Sequence, residues 1–262
     1  MPARSSYAPG TPSWVDVQTT DPAAAKTFYA ALFGWEYADN PVEGTDAVYS
    51  MAEKNGQPVA AISAQQPEQV QMGIPPMWNT YITVEDADAT AGKAEGAGGA
   101  VLAPAFDVMD AGRMAVLADP TGAVFMVWQA KEHPGAALVN EPGTLCWNEL
   151  MTTDLDTALP FYGDVLGWTF DDFGDPATTY KICKVGDDGV AGAQPPPMEG
   201  IPPSWAVYFT VDDADAIVER AKVGGATILV EPFDIPIGRI AAIQDPQGAV
   251  FSITQLAEPA VG

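Results

Sequence analysis

WNELMTTDLDTALPFYGDVLGW, from Trp147 to Trp168, decides the fold, because WVDVQTTDPAAAKTFYAALFGW, from Trp14 to Trp35, is the same pattern 133 residues earlier. Each copy is an alternating strand ending in an acid, Asp21 or Asp154, whose carboxylate caps a helix of about three turns. The helix carries an aromatic pair, Phe28-Tyr29 or Phe161-Tyr162, and a glycine stops it, Gly34 or Gly167. Tryptophan then opens the next strand.

Working outward, WNTYITVEDADATAGKAEGAGG from Trp78 matches WAVYFTVDDADAIVERAKVGG from Trp205. A Gly-Arg pair follows in each, Gly112-Arg113 and Gly238-Arg239, and then a terminal hairpin, DPTGAVFMVWQ from Asp119 or DPQGAVFSITQ from Asp245. A weaker symmetry runs inside each copy, since strand-helix-strands begins at Trp14 and again at Trp78. The repeat sets the domain reading: an arm over 1–12, a first domain over 13–130, a linker over 131–143, a second domain over 144–256 and a tail over 257–262.

A chain of 262 residues accommodates two such domains, and 47% hydrophobic content is ordinary for a globular protein. No apolar run approaches the roughly 18 residues of a membrane span, and MPARSSYAPG has no apolar signal core, so the expected location is the cytoplasm. Cys146 and Cys183 read as buried thiols rather than a disulfide framework. Acids outnumber bases 35 to 11, a net charge of −24 that repels phosphate backbones and anionic lipid. Nucleic acid and membrane are excluded as partners, and cationic ligands are favoured.

In chain order, residues 1–12 read as a loosely attached arm. Short strands are expected at Trp14–Gln18, Trp35–Tyr37, Val48–Glu53 and Pro58–Ser63, with turns at Asn40-Pro41 and Asn55-Gly56. Pro67–Pro76 and Pro195–Pro203 read as loops between half-domains. GAGGA, Gly96 to Ala100, follows a helix and precedes a strand, so it stops a helix rather than cradling phosphate. Pro160, inside a helix, is expected to kink or loosen its first turns. The sole histidine, His133, falls in the linker, which leaves no Ser-His-Asp or Cys-His arrangement. No dinucleotide or flavin motif appears, so no cofactor is expected.

The capping acids, the FY pairs, the GW turns, the VEDAD and VDDAD joins and the DPTG and DPQG hairpins together resemble the glyoxalase, bleomycin-resistance and extradiol-dioxygenase (vicinal oxygen chelate) superfamily. The resemblance covers most of the chain, and is similar in particular to two-domain members labelled glyoxalase-like or hydroxylase. It implies an α+β fold of two tandem vicinal-oxygen-chelate domains, each a pair of βαβββ modules curled around a cleft. It also implies a divalent metal at positions that here carry Trp14 and Trp147, about Asn79 and Ala206, and Met126 and Ser252. Indole and thioether do not bind hard cations, so no metal is expected; oxygen coordination by Asp16 or Glu149 is the one alternative.

Alternation places Trp14, Asp16, Gln18, Asn79, Tyr81, Met126 and Trp128 on the cleft side of domain one. It places Trp147, Glu149, Met151, Tyr208, Ser252 and Thr254 there in domain two. Such walls suit a flat apolar small molecule; the competing reading is that they fill the clefts as core. Asp16 and Glu149 occupy equivalent positions, with burial raising their pKa toward general-base use, or pairing with Arg113 and Arg239 for structure. Tyr81 and Tyr208 orient a ligand or cap the core. The expectation is therefore a metal-free protein binding a planar metabolite or antibiotic, monomeric or homodimeric. The alternative is a glyoxalase-like lyase or hydroxylase working through the cleft carboxylates.

Overall fold

The computed structural model describes residues 3–42, 44–45, 47–174 and 179–257. The tail read at 257–262 lies, but for Ala257, outside them.

The first sheet is built from two modules. One is strand β1 (Pro12–Thr19), helix α1 (Pro22–Phe33) and strands β2 (Glu36–Pro41), β3 (Val48–Lys54) and β4 (Gln57–Ala64). A short helix α2 (Pro67–Gln71) leads to the other, which is β5 (Met77–Thr83), α3 (Ala87–Gly96), β6 (Ala100–Val108), β7 (Gly112–Ala118) and β8 (Val124–Ala130). The second sheet repeats this with β9 (Leu145–Met151), α4 (Leu155–Leu166), β10 (Thr169–Asp172), β11 (Lys181–Val185) and β12 (Asp188–Gln194). It closes with β13 (Ser204–Thr210), α5 (Ala214–Val223), β14 (Thr227–Ile235), β15 (Gly238–Gln244) and β16 (Val250–Leu256).

Strand order is β2-β3-β4-β1-β5-β8-β7-β6 in one sheet and β10-β11-β12-β9-β13-β16-β15-β14 in the other. In each, the first strands of the two modules pair antiparallel at the centre, β1 with β5 and β9 with β13. The fold is therefore two tandem domains of paired βαβββ modules.

Local signals act as their chemistry requires. Asp21 and Asp154 accept from the N–H groups of Ala24 and Thr157, and Gly34 and Gly167 close α1 and α4 at φ 71° and 73°. Asn55 and Gly56 both take positive φ, 54° and 69°, as a tight two-residue hairpin needs. Three expectations are corrected. The turn expected at Asn40-Pro41 is the end of β2, an edge strand where proline removes no ladder bond. Part of the Pro67–Pro76 loop is helical as α2. α4 runs unbroken through the exposed Pro160.

Helices α1, α3, α4 and α5 set the architecture, because each packs against the other domain. Phe28, Tyr29, Leu32 and Phe33 of α1 share one core with Val207 and Phe209 of β13, Ile217 of α5 and Phe251 of β16. Ala91 and Ala94 of α3 share the other with Leu150 of β9 and Phe161, Tyr162 and Val165 of α4. Each core thus draws its residues from both domains. The repeated motifs lock across this boundary. Tyr29 donates to Asp245 Oδ2 at 2.8 Å, and Tyr162 donates to Asp119 Oδ2 at 3.0 Å. The opposite oxygens, Asp245 Oδ1 and Asp119 Oδ1, take the backbone N–H groups of their own hairpins. The tyrosine of each FY pair therefore holds the aspartate of the other domain's DPxG hairpin.

The arm is anchored rather than loose. Arg4 N donates to Ala137 O, the Tyr7 hydroxyl to Ala136 O at 2.6 Å, and Gly10 N to Thr83 O. Gly10 also accepts from the Trp168 indole at 2.7 Å.

Candidate functional site

Both clefts are built around a carboxylate on the central strand. In domain one, Trp14 and Asp16 of β1 stand opposite Tyr81 and Asn79 of β5. Asp16 Oδ1 accepts from Asn79 Nδ2 at 2.8 Å, and its Oδ2 from the hydroxyls of Tyr81 at 2.7 Å and Tyr49 at 3.1 Å. Trp14 Nε1 donates to the Tyr49 hydroxyl at 2.9 Å. Burial raises the Asp16 pKa, opposed by the hydrogen bonds from Asn79, Tyr81 and Tyr49. At 1% exposure, with three donors on its two oxygens, Asp16 is closed off from a substrate proton.

Domain two repeats the relay with glutamate. Tyr208 donates to Glu149 Oε1 at 2.9 Å, Gln194 Nε2 to the same oxygen at 2.7 Å, and Tyr180 bonds the carboxylate as well. Trp147 Nε1 donates to Tyr180 at 2.9 Å. Burial raises the Glu149 pKa, against the bonds from Tyr180, Tyr208 and Gln194. The arginines expected as partners are elsewhere, Arg113 on Asp88 and Asp107, Arg239 on Asp215 and Asp234. They stand half-buried on β7 and β15, and tyrosine and amide donors satisfy the carboxylates instead. Tyr49 and Tyr180 were not among the sequence candidates. Their signal is their recurrence in AVYSM and TTYKI, before equivalent hairpins.

The two clefts then diverge. Trp14, Asn79, Tyr81, Met126 and Trp128 are between 3 and 7% exposed, because the linker folds into the first cleft. The His133 ring stands edge-on to Trp14 with centroids 4.5 Å apart, and 6.0 Å from Trp128. Trp128 Nε1 donates to His133 O at 2.8 Å. Ala136 is fully buried in the cluster of Trp14, Tyr81, Met126 and Trp128. Burial pushes the His133 pKa down to about 4, so the ring is neutral at physiological pH. In domain one, the linker thus packs the cleft side chains out of contact with solvent.

In domain two, Trp147, Met151 and Tyr208 are partly exposed. Ser252 and Thr254 stand where domain one has Met126 and Trp128, and pair with the Tyr208 hydroxyl and the Cys146 thiol. Burial pushes the Cys146 thiol up to about 11, which leaves it protonated and unreactive. Cys146 is half-buried rather than buried, while Cys183 is buried; both are free thiols.

The donor set at the metal positions does not fit a hard divalent cation. Both indoles turn N–H groups onto tyrosines, and Asn79 turns its amide nitrogen onto Asp16. Among the described residues, no three His, Cys, Asp or Glu side chains are grouped to hold a metal ion. Among them too, no helix is long and apolar enough to cross a membrane.

A family model described as the Glyoxalase/Bleomycin resistance protein/Dioxygenase superfamily matches residues 11–127 and 144–253. The chain is 54% identical over 255 residues to "Putative glyoxylase CFP32" of Mycobacterium tuberculosis, covering 97% of each chain. It is 39% identical over 265 residues to "Anthracycline biosynthesis protein DnrV" of Streptomyces peucetius, covering 96% of this chain and 95% of the relative. Among solved structures, the Mn(II)-bound glyoxalase from Novosphingobium aromaticivorans aligns with a TM-score of 0.66 at 19% identity, over 95% of this chain and 83% of that one. The 2,3-dioxygenase LapB from Pseudomonas sp. KL28 aligns at 0.63 and 13%, over 97% and 95%. At these identities, the structural likeness is one of fold.

Proposed function

The chain belongs to the glyoxalase/bleomycin resistance protein/dioxygenase superfamily, and from that premise we propose that it binds a hydrophobic, planar small molecule in its second cleft without a metal ion, sequestering or carrying it. The observation that carries this reading is the asymmetry of the clefts. The first is packed shut by the linker, whereas the second keeps a partly exposed indole, thioether and phenol above a floor of small hydroxyls. Aromatic walls with few polar groups favour flat apolar ligands, and a net charge of −24 favours cationic ones. The name of the anthracycline-biosynthesis relative supports a fused-ring ligand. The same reading takes the protein to be cytoplasmic, monomeric or homodimeric, and free of a resident cofactor.

Alizarin, a flat dihydroxyanthraquinone, tests it by tryptophan fluorescence quenching and calorimetry. One site per chain is expected, weakened about tenfold or more, roughly 1.4 kcal/mol, by Trp147→Ala. Absence of binding by alizarin and by cationic fused-ring dyes would overturn the reading.

The name of the mycobacterial relative supports a second reading, dicarbonyl chemistry with Glu149 as acid or base. The raised pKa of Glu149 favours it, and the three hydrogen bonds its carboxylate already accepts oppose it. Turnover of methylglyoxal that disappears in Glu149→Gln while binding persists would put this reading first.

A further inference from the structure

The linker that closes the first cleft has a defined seat. Ala136 N donates to Ser13 O and Ala137 N to Pro58 O, both at 2.8 Å, while the His133 ring meets the edge of Trp14. Through the repeat, Ser13, Trp14 and Pro58 correspond to Cys146, Trp147 and Gly189. Those three residues line a depression of about 560 Å3, walled on its other sides by Tyr7 of the arm, Asn140 of the linker and Asp188. Among the described residues, no ring packs against Trp147. None outside the sheet ladders donates a backbone N–H to the carbonyls of Cys146 or Gly189.

We infer that this depression is the ligand seat of the second domain, and that the linker displays the ligand's chemical class: a flat ring followed by amide or amine donors. The inference rests on the binding reading above and specifies it. An aromatic edge-on to an indole is a favourable pairing in its own right, and donors aimed at strand carbonyls are how extended ligands add to a sheet. Asp188 in the wall can accept from such donors, and Arg4 brings a positive charge to the same wall. At about 560 Å3 the depression is roomier than an imidazole requires, and it accommodates a fused ring.

The probe is the acetylated, amidated peptide His-Pro-Gly-Ala-Ala, the sequence of residues 133–137, titrated into the full 15N-labelled chain alongside alizarin, with the tryptophan indole N–H signals followed. Detached from its chain, the segment loses an effective concentration of about millimolar order, so binding is expected in that range. The Trp147 signal moves, those of Trp14 and Trp128 stay, and the peptide displaces alizarin. Gly189→Val, whose side chain reaches toward Trp147 and Ile182, weakens the peptide several-fold; Gly189→Ala serves if the valine variant does not fold. A Trp147 signal unmoved at about 10 mM peptide overturns the seat, and alizarin binding that persists there leaves the binding reading standing. A peptide that moves Trp147 where alizarin does not bind keeps the seat and removes the flat-aromatic reading.

Discussion

Asp16 shows how a single side chain can be placed by the sequence and misread in role. Period-two alternation puts it on the cleft face, where a carboxylate among aromatics invites a catalytic assignment. Its three partners come from two other strands, Asn79 and Tyr81 from β5 and Tyr49 from β3, and the last is fixed by how far the sheet curls, which alternation does not encode. Three donors close on it, yet burial still raises its pKa. The sign of the pH effect follows. From the unfolded value, about 3.9, up to the raised folded value, the native state keeps a proton that the unfolded chain has released. Stability therefore falls as pH rises through that window. Asp16→Asn removes this dependence, so the stability of the variant minus that of the native chain should grow from about pH 4 up to the raised folded value. Urea unfolding of both proteins across that range measures it. A difference that shrinks with pH would mean that the three donors outweigh burial.

At the scale of the element, the strongest signals were those made by neighbouring residues. Helix caps, left-handed glycine stops and the Asn55-Gly56 hairpin each depend on contacts within about four positions, so the sequence states them almost completely. The linker was illegible for the opposite reason: its composition reads as a connector, and only the packing of His133 on Trp14 and Trp128 makes it a plug. Pro160 lies between these cases. The local rule predicts a kink, but α4 stays continuous because its neighbours Ala158, Phe161 and Tyr162 are held in the shared core. The cost of the missing N–H persists. Pro160 is exposed, so Pro160→Ala loses little packing and should stabilise the chain by about 1–3 kcal/mol, less what proline contributes by stiffening the unfolded state. Thermal unfolding reads this as a higher Tm; a lower Tm would show that the ring contributes to the capping turn.

For the whole molecule, the duplication was plain in the sequence but its consequence was not. Tyr29 and Asp245 are 216 positions apart, and Tyr162 and Asp119 are 43 apart. The motifs announced themselves as repeats, while nothing within one copy indicated that its tyrosine would hold the other copy's aspartate. The domains are thus two sheets sharing two cores, and neither half buries its helices alone. Such a chain should unfold as one unit despite its two-domain sequence. Tyr29→Phe tests this directly. It removes the bond to Asp245 and the hydroxyl that accepts from Trp78, leaving buried polar groups short of a partner at a cost of about 1–3 kcal/mol. If the cores are coupled, the loss appears equally in the slow-exchanging amides of both sheets, β1 and β5 as well as β13 and β16, within a single calorimetric transition. Independent domains would instead give two transitions, with protection lost in only one sheet. The same coupling bears on ligand binding. A ligand seated beside Trp147 touches the arm and the linker, which are anchored on the first domain, so it should raise the stability of both sheets together by mass action.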